Sequence, residues 1–211
     1  MEVFTIIDTD LYCITAEKYS QGRSNLEVVR EMINSDIKII QYREKNKKML
    51  EKYEECKKIR KMTEKAGVTF IINDHVDLAL AVKADGVHVG QQDLPVTEVR
   101  NILGKDYIIG LSTHSPEQAR EAVNLPINYI GVGPIFNTNT KEDVCNPVGL
   151  EYLEYVVNNL NIPFVAIGGI KEHNIELVAD KGAECICLVT GIVGADNIQK
   201  KINNLRNKIS G

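Results

Sequence analysis

The segment IIQYREK, residues 39 to 45, changes from apolar to polar within a few positions. Its first residues predict a buried strand, and Gln41, Arg43 and Lys45 then follow at every second position. Side chains two residues apart share one face of a strand, so this face ends in an amide and two cations. Such a face can hold an anion. A solvated loop at the strand end would explain the same spacing, so both interpretations stay open here.

Two further strands end in carboxylates. The segment FIIND, residues 70 to 74, finishes with Asn73 and Asp74, and GVHVGQQD finishes with Asp93. Two carboxylates after neighbouring strands can share Mg²⁺, a hard cation that takes oxygen ligands and often also binds substrate phosphates. The alternative is that each aspartate caps the helix that follows.

A long polar loop follows the sixth apolar stretch. In GVGPIFNTNTKED, residues 131 to 143, Thr138, Thr140 and Lys141 can surround phosphate oxygens with hydroxyl, backbone N–H and ammonium donors. This composition is common in surface loops, so the segment gains weight only together with the other polar strand ends.

Two glycine turns indicate a second anion site. IGGI, residues 167 to 170, contains Gly169, and VTGI, residues 189 to 192, begins with Val189 and Thr190. Turns of this kind follow the last two strands of the barrel fold considered below, where phosphate is commonly bound. Two separate anion sites predict two phosphorylated substrates.

Short apolar stretches rich in Ile and Val alternate along the chain with segments of helical spacing. The predicted strands cover residues 11–15, 37–43, 69–72, 86–89, 107–111, 129–132, 164–167 and 185–189. The predicted helices cover residues 25–34, 48–65, 75–82, 96–103, 116–123, 149–159, 173–181 and 196–209. Ser24 with Glu27, and Ser115 with Gln118, are predicted to form capping boxes at two helix starts.

Eight strand–helix units in 211 residues leave about 26 residues for each unit, which is enough for a closed barrel. The rival fold is an open, doubly wound sheet, but no G-x-G-x-x-G turn follows the first strand. We therefore predict a (β/α)8 TIM barrel, with residues 1–211 as a single catalytic domain. In this fold the carboxyl ends of the strands carry the active site.

Composition limits the functional classes to which the protein can belong. The chain is 44% hydrophobic and carries a net charge of −4, so it lacks the basic surface that nucleic-acid binding requires. It has no apolar run long enough to span a membrane and no signal peptide, which predicts a cytoplasmic protein. Five cysteines without a CxxC pair predict free thiols rather than disulfides or zinc. A homo-oligomer is compatible with the sequence.

The motifs together resemble those of the thiamin-phosphate synthase family over nearly the whole chain. The matching segments are GRS (22–24), QYREK (41–45), IINDHVDLALAVKADGVHVGQQDLP (71–95), GLSTHS (110–115), YIGVGPIFNTNTKED (129–143), PVGLE (147–151) and VAIGGI (165–170). The resemblance implies a barrel transferase that requires Mg²⁺. It implies joining 4-amino-2-methyl-5-hydroxymethylpyrimidine diphosphate to 4-methyl-5-(2-phosphooxyethyl)thiazole, with release of pyrophosphate, by a dissociative reaction.

The resemblance also assigns roles to positions of this sequence. It implies a pyrimidine diphosphate site formed by Gln41, Arg43, Lys45, Asn73, Ser112, Thr138, Thr140 and Lys141. Arg43, Lys45 and Lys141 are implied to be catalytic, through stabilisation of the departing pyrophosphate. Mg²⁺ is expected at Asp74 and Asp93, and the thiazole phosphate at Gly169, Val189 and Thr190.

Two other functions stay open. The first is the related thiazole tautomerase, an isomerase on the same barrel that uses a histidine where this chain has His114. The second is a sensor of thiamin precursors without catalytic activity. Arg43, Lys45 and the two aspartates argue against both, because neither function needs a complete site for diphosphate and metal. His88 is interpreted as a residue of the barrel rim.

Overall fold

In the computed structural model, residues 7–138 and 146–209 are described. They form a closed barrel of eight parallel strands in sequence order, in which the last strand pairs with the first. The strands are β1 Leu11–Ile14, β2 Ile39–Tyr42, β3 Thr69–Asn73, β4 Gly86–Val89, β5 Ile108–Thr113, β6 Tyr129–Val132, β7 Phe164–Ile167 and β8 Ile186–Leu188. The predicted (β/α)8 fold is confirmed.

The helices surround the barrel. They are α1 Asn25–Asn34, α2 Met49–Ala66, α3 Val76–Val82, α4 Val96–Leu103, α5 Pro116–Ala122, α6 Gly149–Asn159, α7 Ile175–Ala179, α8 Thr190–Val193 and α9 Ile198–Ile209. Two short elements were not predicted from the sequence: a 3₁₀ turn at Glu17–Tyr19 and helix α8. None of the helices in the described residues is long and apolar enough to cross a membrane.

The helix starts follow the capping chemistry of the sequence. Ser24 and Glu27 form the predicted reciprocal capping box of α1. Ser115 accepts a hydrogen bond from the Gln118 backbone at the start of α5, but the Gln118 side chain accepts from the His114 backbone instead. The second predicted box is therefore only half correct, because the glutamine side chain reaches one residue further back.

Alternation along the strands produces two cores. Side chains on the outward faces pack against the helices, as Ile40 and Tyr42 of β2 do. The inward faces fill the barrel with a smaller cluster that includes Ile39, Ile71 and Tyr12. Four of the five cysteines, Cys13, Cys56, Cys185 and Cys187, are buried free thiols, and Cys145 lies outside the described residues. The barrel thus places every strand's carboxyl end at one mouth.

Candidate active site

Arg43 and Lys45 lie in the loop directly after β2, and the side chain of Arg43 lines a cavity at the barrel mouth. The Arg43 backbone is held by a 3.0 Å hydrogen bond to the Thr15 hydroxyl. Its guanidinium forms no hydrogen bond or ion pair with any residue in the ranges 7–138 and 146–209. A half-buried cation without an ion-pair partner among the described residues is available to bind an anion.

Lys45 is more exposed, and its ammonium pairs with the Asp74 carboxylate. Asp74 follows β3 immediately and adopts a left-handed backbone with φ 61°. Aspartate tolerates this conformation better than most residues do. The Asp74 N–H donates to the His88 carbonyl at 2.9 Å, which fixes the turn. The exposed-loop interpretation of IIQYREK is therefore wrong for Arg43, which lines the cavity, and incomplete for Lys45, which is ion-paired.

Asp93 lies beside Asp74, so the two carboxyl groups influence each other's pKa. Burial raises the pKa of Asp74, but the hydrogen bond and charge of Lys45 outweigh burial and leave that pKa lowered. Burial also raises the pKa of Asp93, and the nearby Asp74 charge adds to this effect against one backbone hydrogen bond. The pair therefore concentrates negative charge at the mouth.

The helix-capping alternative for these aspartates is wrong. Helix α3 has His75 at its N-cap and α4 has Pro95, and neither cap is made by a side-chain hydrogen bond. Asp93 instead accepts a 2.7 Å hydrogen bond from the Gly90 N–H within its own loop. Neither carboxylate is used to stabilise a helix start.

The residues present fit Mg²⁺. The described part of the chain contains no group of three or more His, Cys, Asp or Glu side chains that could hold a metal by themselves. Mg²⁺ does not require such a group, because it commonly takes one or two carboxylates and completes its shell with water and substrate phosphate. Asp74 and Asp93 supply two hard oxygen donors of that kind, and the Mg²⁺ site remains a prediction.

The cavity at the mouth has a volume of about 160 Å³, far above the ~10–15 Å³ that one water needs. It brings together six of the residues proposed from the sequence: Arg43, Ser112, Thr138, Gly169, Val189 and Thr190. The two anion sites that the sequence predicts as separate thus open into one cavity. Asn73, Asp74 and Asp93 end or follow the neighbouring strands β3 and β4, whereas Thr140 and Lys141 lie outside the described residues.

The turn after β7 lines the same cavity as Arg43. Gly168 and Gly169 both have positive φ, 102° and 67°. A Cβ on Gly169 would lie 2.5 Å from the Asn137 carbonyl oxygen and 2.6 Å from the Phe136 carbonyl oxygen. Only glycine allows the loop after β6 to approach the turn this closely. At Gly168 and Gly169 this wall is therefore formed by backbone atoms.

Lys171 is a residue of this wall that the sequence did not reveal. It lines the cavity, and its ammonium donates to the Thr190 hydroxyl. Burial lowers the pKa of Lys171, and no carboxylate of the described residues pairs with it. Its position two residues after Gly169, in a turn already predicted to bind phosphate, is the signal that could have identified it.

The GRS motif has a role in positioning that wall. Arg23 donates to the carbonyl oxygens of Val193 and Ala195 at 2.8 and 2.7 Å. These carbonyls lie at and just beyond the end of α8. The arginine thereby fixes the short helix that begins with Thr190.

A chain of hydrogen bonds crosses the barrel interior below the cavity. Gln41 donates to Tyr12 at 2.8 Å, and the hydroxyls of Tyr12 and Tyr129 are 2.9 Å apart. The His88 ring lies 2.9 Å from the Tyr129 hydroxyl through Nδ1 and 3.0 Å from the Ser112 hydroxyl through Nε2. The rim assignment of His88 is therefore wrong, because both ring nitrogens are engaged inside the barrel.

His114 lies higher, where its ring lines the cavity. Its Nδ1 donates to the carbonyl oxygen of Gly133, which can only accept. In the neutral ring Nε2 is then an acceptor. His114 is thus a cavity residue rather than part of a solvated loop.

The fold and this site are typical of a barrel enzyme that acts on phosphorylated small molecules, with charged side chains after β2, β3 and β4 and a glycine turn after β7. A family model described as thiamine monophosphate synthase matches residues 11–192. The chain is 64% identical over 205 residues to the thiamine-phosphate synthase of Pelotomaculum thermopropionicum, covering 97% of this chain and 94% of the relative. It is 53% identical to that of Lawsonia intracellularis, covering 96% and 94%.

A solved structure of a related enzyme has the same fold. The chain superimposes on the thiamine phosphate pyrophosphorylase from Pyrococcus furiosus with a TM-score of 0.87 and 35% identity, covering 96% of each chain. The chain therefore belongs to the thiamine monophosphate synthase family, and it is a transferase of thiamine biosynthesis.

Proposed function

We propose that this enzyme condenses 4-amino-2-methyl-5-hydroxymethylpyrimidine diphosphate with 4-methyl-5-(2-phosphooxyethyl)thiazole to give thiamin phosphate and pyrophosphate. The observation that carries the proposal is the Arg43 guanidinium, which has no ion-pair partner in residues 7–138 and 146–209 and lines the same cavity as the glycine turn around Gly169. A cation and a backbone wall facing one cavity suit two anionic substrates bound together.

The diphosphate belongs on the cationic side. In this arrangement Arg43 and Lys45 bind its oxygens, and Thr140 and Lys141, which lie outside the described residues, are proposed to add further contacts. We assign further contacts to Thr138, which lines the cavity, and to Asn73, which ends β3, and we assign the pyrimidine to Gln41 and Ser112. Charges that are in place before the substrate binds would stabilise a leaving pyrophosphate without reorganisation.

Asp74 and Asp93 are the residues that would hold Mg²⁺ in this proposal. Bound there, the ion would neutralise charge on the diphosphate oxygens as a Lewis acid. Lys45, paired with Asp74, keeps one of these carboxylates ionised and close to the diphosphate.

The second substrate belongs on the glycine side. Gly169, Val189 and Thr190 offer backbone N–H and hydroxyl donors to the thiazole phosphate, and Lys171 adds a positive charge. The reaction is proposed to be dissociative: the bond to pyrophosphate breaks first, and the thiazole nitrogen then attacks the pyrimidine methylene cation. The chain's contribution is then electrostatic, and none of its residues acts as a nucleophile.

The direct test incubates the purified protein with both substrates and Mg²⁺, with EDTA in a parallel sample, and measures thiamin phosphate as thiochrome fluorescence. We expect product with Mg²⁺ and none with EDTA. Arg43→Ala should lower kcat/KM on the order of 10²-fold. The matched control, Arg30→Ala on the exposed face of α1, should leave the rate unchanged. Equal losses in both variants would contradict the role of Arg43.

The same experiment separates the alternatives. His114 lines the cavity with an acceptor nitrogen, which is the feature that the isomerase function would need. A thiazole phosphate tautomer is therefore included as a third substrate. Turnover of this tautomer without thiamin phosphate formation would favour the isomerase, and binding without any turnover would favour a sensor. Cytoplasmic location, a single domain over residues 1–211, and the absence of nucleic-acid and membrane partners remain part of this proposal.

A further inference from the structure

The hydrogen-bond chain inside the barrel joins two residues that the proposed function assigns to the pyrimidine. Gln41 of β2 begins the chain and Ser112 of β5 ends it. Tyr12, Tyr129 and His88 connect them in the order given above. Tyr12 and Tyr129 are almost completely buried, at 2% and 1% exposure. Water therefore cannot serve as an alternative hydrogen-bond partner for either hydroxyl.

Two glycines of the barrel, Gly110 and Gly131, leave space for the rings of Tyr129 and His88. In the sheet register His88 of β4 lies opposite Gly110 of β5, and Gly110 lies opposite Tyr129 of β6. A Cβ on Gly110 would lie 2.2 Å from the Tyr129 ring and 2.4 Å from His88 Nδ1. A Cβ on Gly131 would lie 3.2 Å from the His88 ring. The two glycines thus leave room for a phenol and an imidazole in direct contact.

The chemistry of the groups gives the chain a direction. Gln41 Nε2 can only donate, so the Tyr12 oxygen accepts from it. The single Tyr12 proton is then donated to Tyr129, and the Tyr129 proton to His88 Nδ1. Burial raises the pKa of both phenols well above its ordinary value, so each keeps its proton. His88 must therefore carry its hydrogen on Nε2 and donate it to Ser112.

The opposite ring tautomer is unfavourable. If His88 carried its hydrogen on Nδ1, Tyr129 would accept from it and donate to Tyr12. Tyr12 already accepts from Gln41, and its own proton would then lack an acceptor among the described residues. An unsatisfied buried donor carries a full desolvation cost. The amide at one end therefore fixes the tautomer of His88 near the other end.

We propose that Tyr12, Tyr129 and His88 are positioning residues that fix Ser112 as a hydrogen-bond donor and the Gln41 carbonyl as an acceptor. A heterocycle held between the two ends and carrying both a ring nitrogen and an amino group matches this polarity. An oxo-substituted analogue, with an acceptor in place of the amino group, does not. This inference rests on the proposed function, in which the aminopyrimidine contacts Gln41 and Ser112.

The first test does not require turnover. Long-range ¹H–¹⁵N NMR spectra of the imidazole side chains distinguish the two tautomers, and His88→Gln identifies the His88 signals among the four histidines. We expect a neutral ring protonated on Nε2. A ring protonated on Nδ1, or on both nitrogens at pH 8, would overturn the proposal, whether or not the protein makes thiamin phosphate.

Variants then test the direction. Tyr129→Phe removes the donor to Nδ1, so His88 should populate both tautomers. Tyr12→Phe frees Gln41 and also removes the competing acceptor for the Tyr129 proton, which leaves His88 Nδ1 as its acceptor in the chain, so the tautomer should not change. Tyr152→Phe is the matched control, since its buried hydroxyl bonds Thr113 at 2.6 Å outside the chain. An unchanged His88 spectrum in folded Tyr129→Phe would refute the directional chain.

Kinetics connect the chain to the substrate. Tyr12→Phe and Tyr129→Phe should each raise KM for pyrimidine diphosphate about tenfold, the equivalent of one buried hydrogen bond, without changing KM for thiazole phosphate. Equal increases for both substrates would indicate a general structural loss and contradict the positioning role. If the wild-type enzyme forms no thiamin phosphate, the proposed function fails, while the NMR result still decides the proton order.

Discussion

The two sides of the proposed site offer an anion different kinds of group. The side after β2, β3 and β4 carries charged side chains: Arg43, which lines the cavity and has no ion-pair partner among the described residues, and Lys45, Asp74 and Asp93, which lie close together. The wall after β6, β7 and β8 uses backbone atoms, brought together because Gly168 and Gly169 lack side chains. Charge can be removed from the first wall without moving the chain. The second wall cannot accept even a methyl group without displacing its neighbour.

We expect the largest loss of activity from the smallest substitution, a single methyl group added at Gly169. Gly169→Ala introduces a Cβ 2.5 Å from a backbone oxygen of the loop after β6, in a left-handed conformation with φ 67°. The strained backbone costs about 1–3 kcal/mol, and the loop must also move away. We expect kcat/KM to fall on the order of 10²-fold or more, since catalysis is sensitive to displacements of about 1 Å. Steady-state kinetics and thermal unfolding of the same preparation measure both effects.

Gly67→Ala is the matched control. Gly67 ends α2 with φ 66°, almost the same φ as Gly169, but a Cβ there would meet nothing within 4 Å. It lies at the opposite end of the barrel, before β3. Gly67→Ala should lower the unfolding temperature while activity is retained. Comparable losses of activity in both variants would mean that backbone strain, rather than the contact between the two loops, explains the result.

The activity of a variant that lacks one of the two carboxylates should depend on the Mg²⁺ concentration. Asp93→Ala removes one of two carboxylates, so we expect activity to fall by about tenfold to a hundredfold at low Mg²⁺ and to recover partly as Mg²⁺ is raised. A Mg²⁺ titration of the initial rate measures this. Asp77→Ala, which changes an exposed carboxylate on α3, should leave the titration unchanged. An activity loss in Asp93→Ala that no Mg²⁺ concentration relieves would contradict the metal assignment.

Features that are determined locally could be predicted from the sequence, and features that depend on distant contacts could not. Strands and long helices were predicted closely because their apolar periods are set locally; β4, β6 and β7 agree at both ends. Helix α8 was missed because four residues are too few to show a period. Arg43 and Asp74 were identifiable because polar residues at the end of an apolar strand are unusual.

Other parts of the site depend on contacts that are distant in sequence. Tyr12 and Tyr129 are 117 positions apart, and each is indistinguishable from an ordinary core aromatic within its own strand. Only the closed barrel brings their hydroxyls together. Two glycines with ordinary φ, Gly110 and Gly131, are equally uninformative in the sequence, although they determine where the rings fit. Local chemistry was thus readable, and packing across the barrel was not.

Lys171 tests whether the glycine wall also depends on charge. Its ammonium bonds Thr190, it faces the cavity, and burial lowers its pKa, so an anion beside it would restore favourable electrostatics. Lys171→Ala should raise KM for thiazole phosphate about tenfold, the weight of one charge-assisted hydrogen bond, and leave KM for pyrimidine diphosphate unchanged. Lys171→Arg should retain most of the affinity, and Lys200→Ala, at an exposed position on α9, serves as the control.

Repeating the comparison with the thiazole alcohol, which lacks the phosphate, isolates the charge, because the alanine variant and the wild type should then bind equally. If Lys171→Ala weakens the alcohol as much as the phosphate, the lysine acts by packing against Gly191 rather than by charge, and the glycine wall binds its anion through backbone and hydroxyl groups alone.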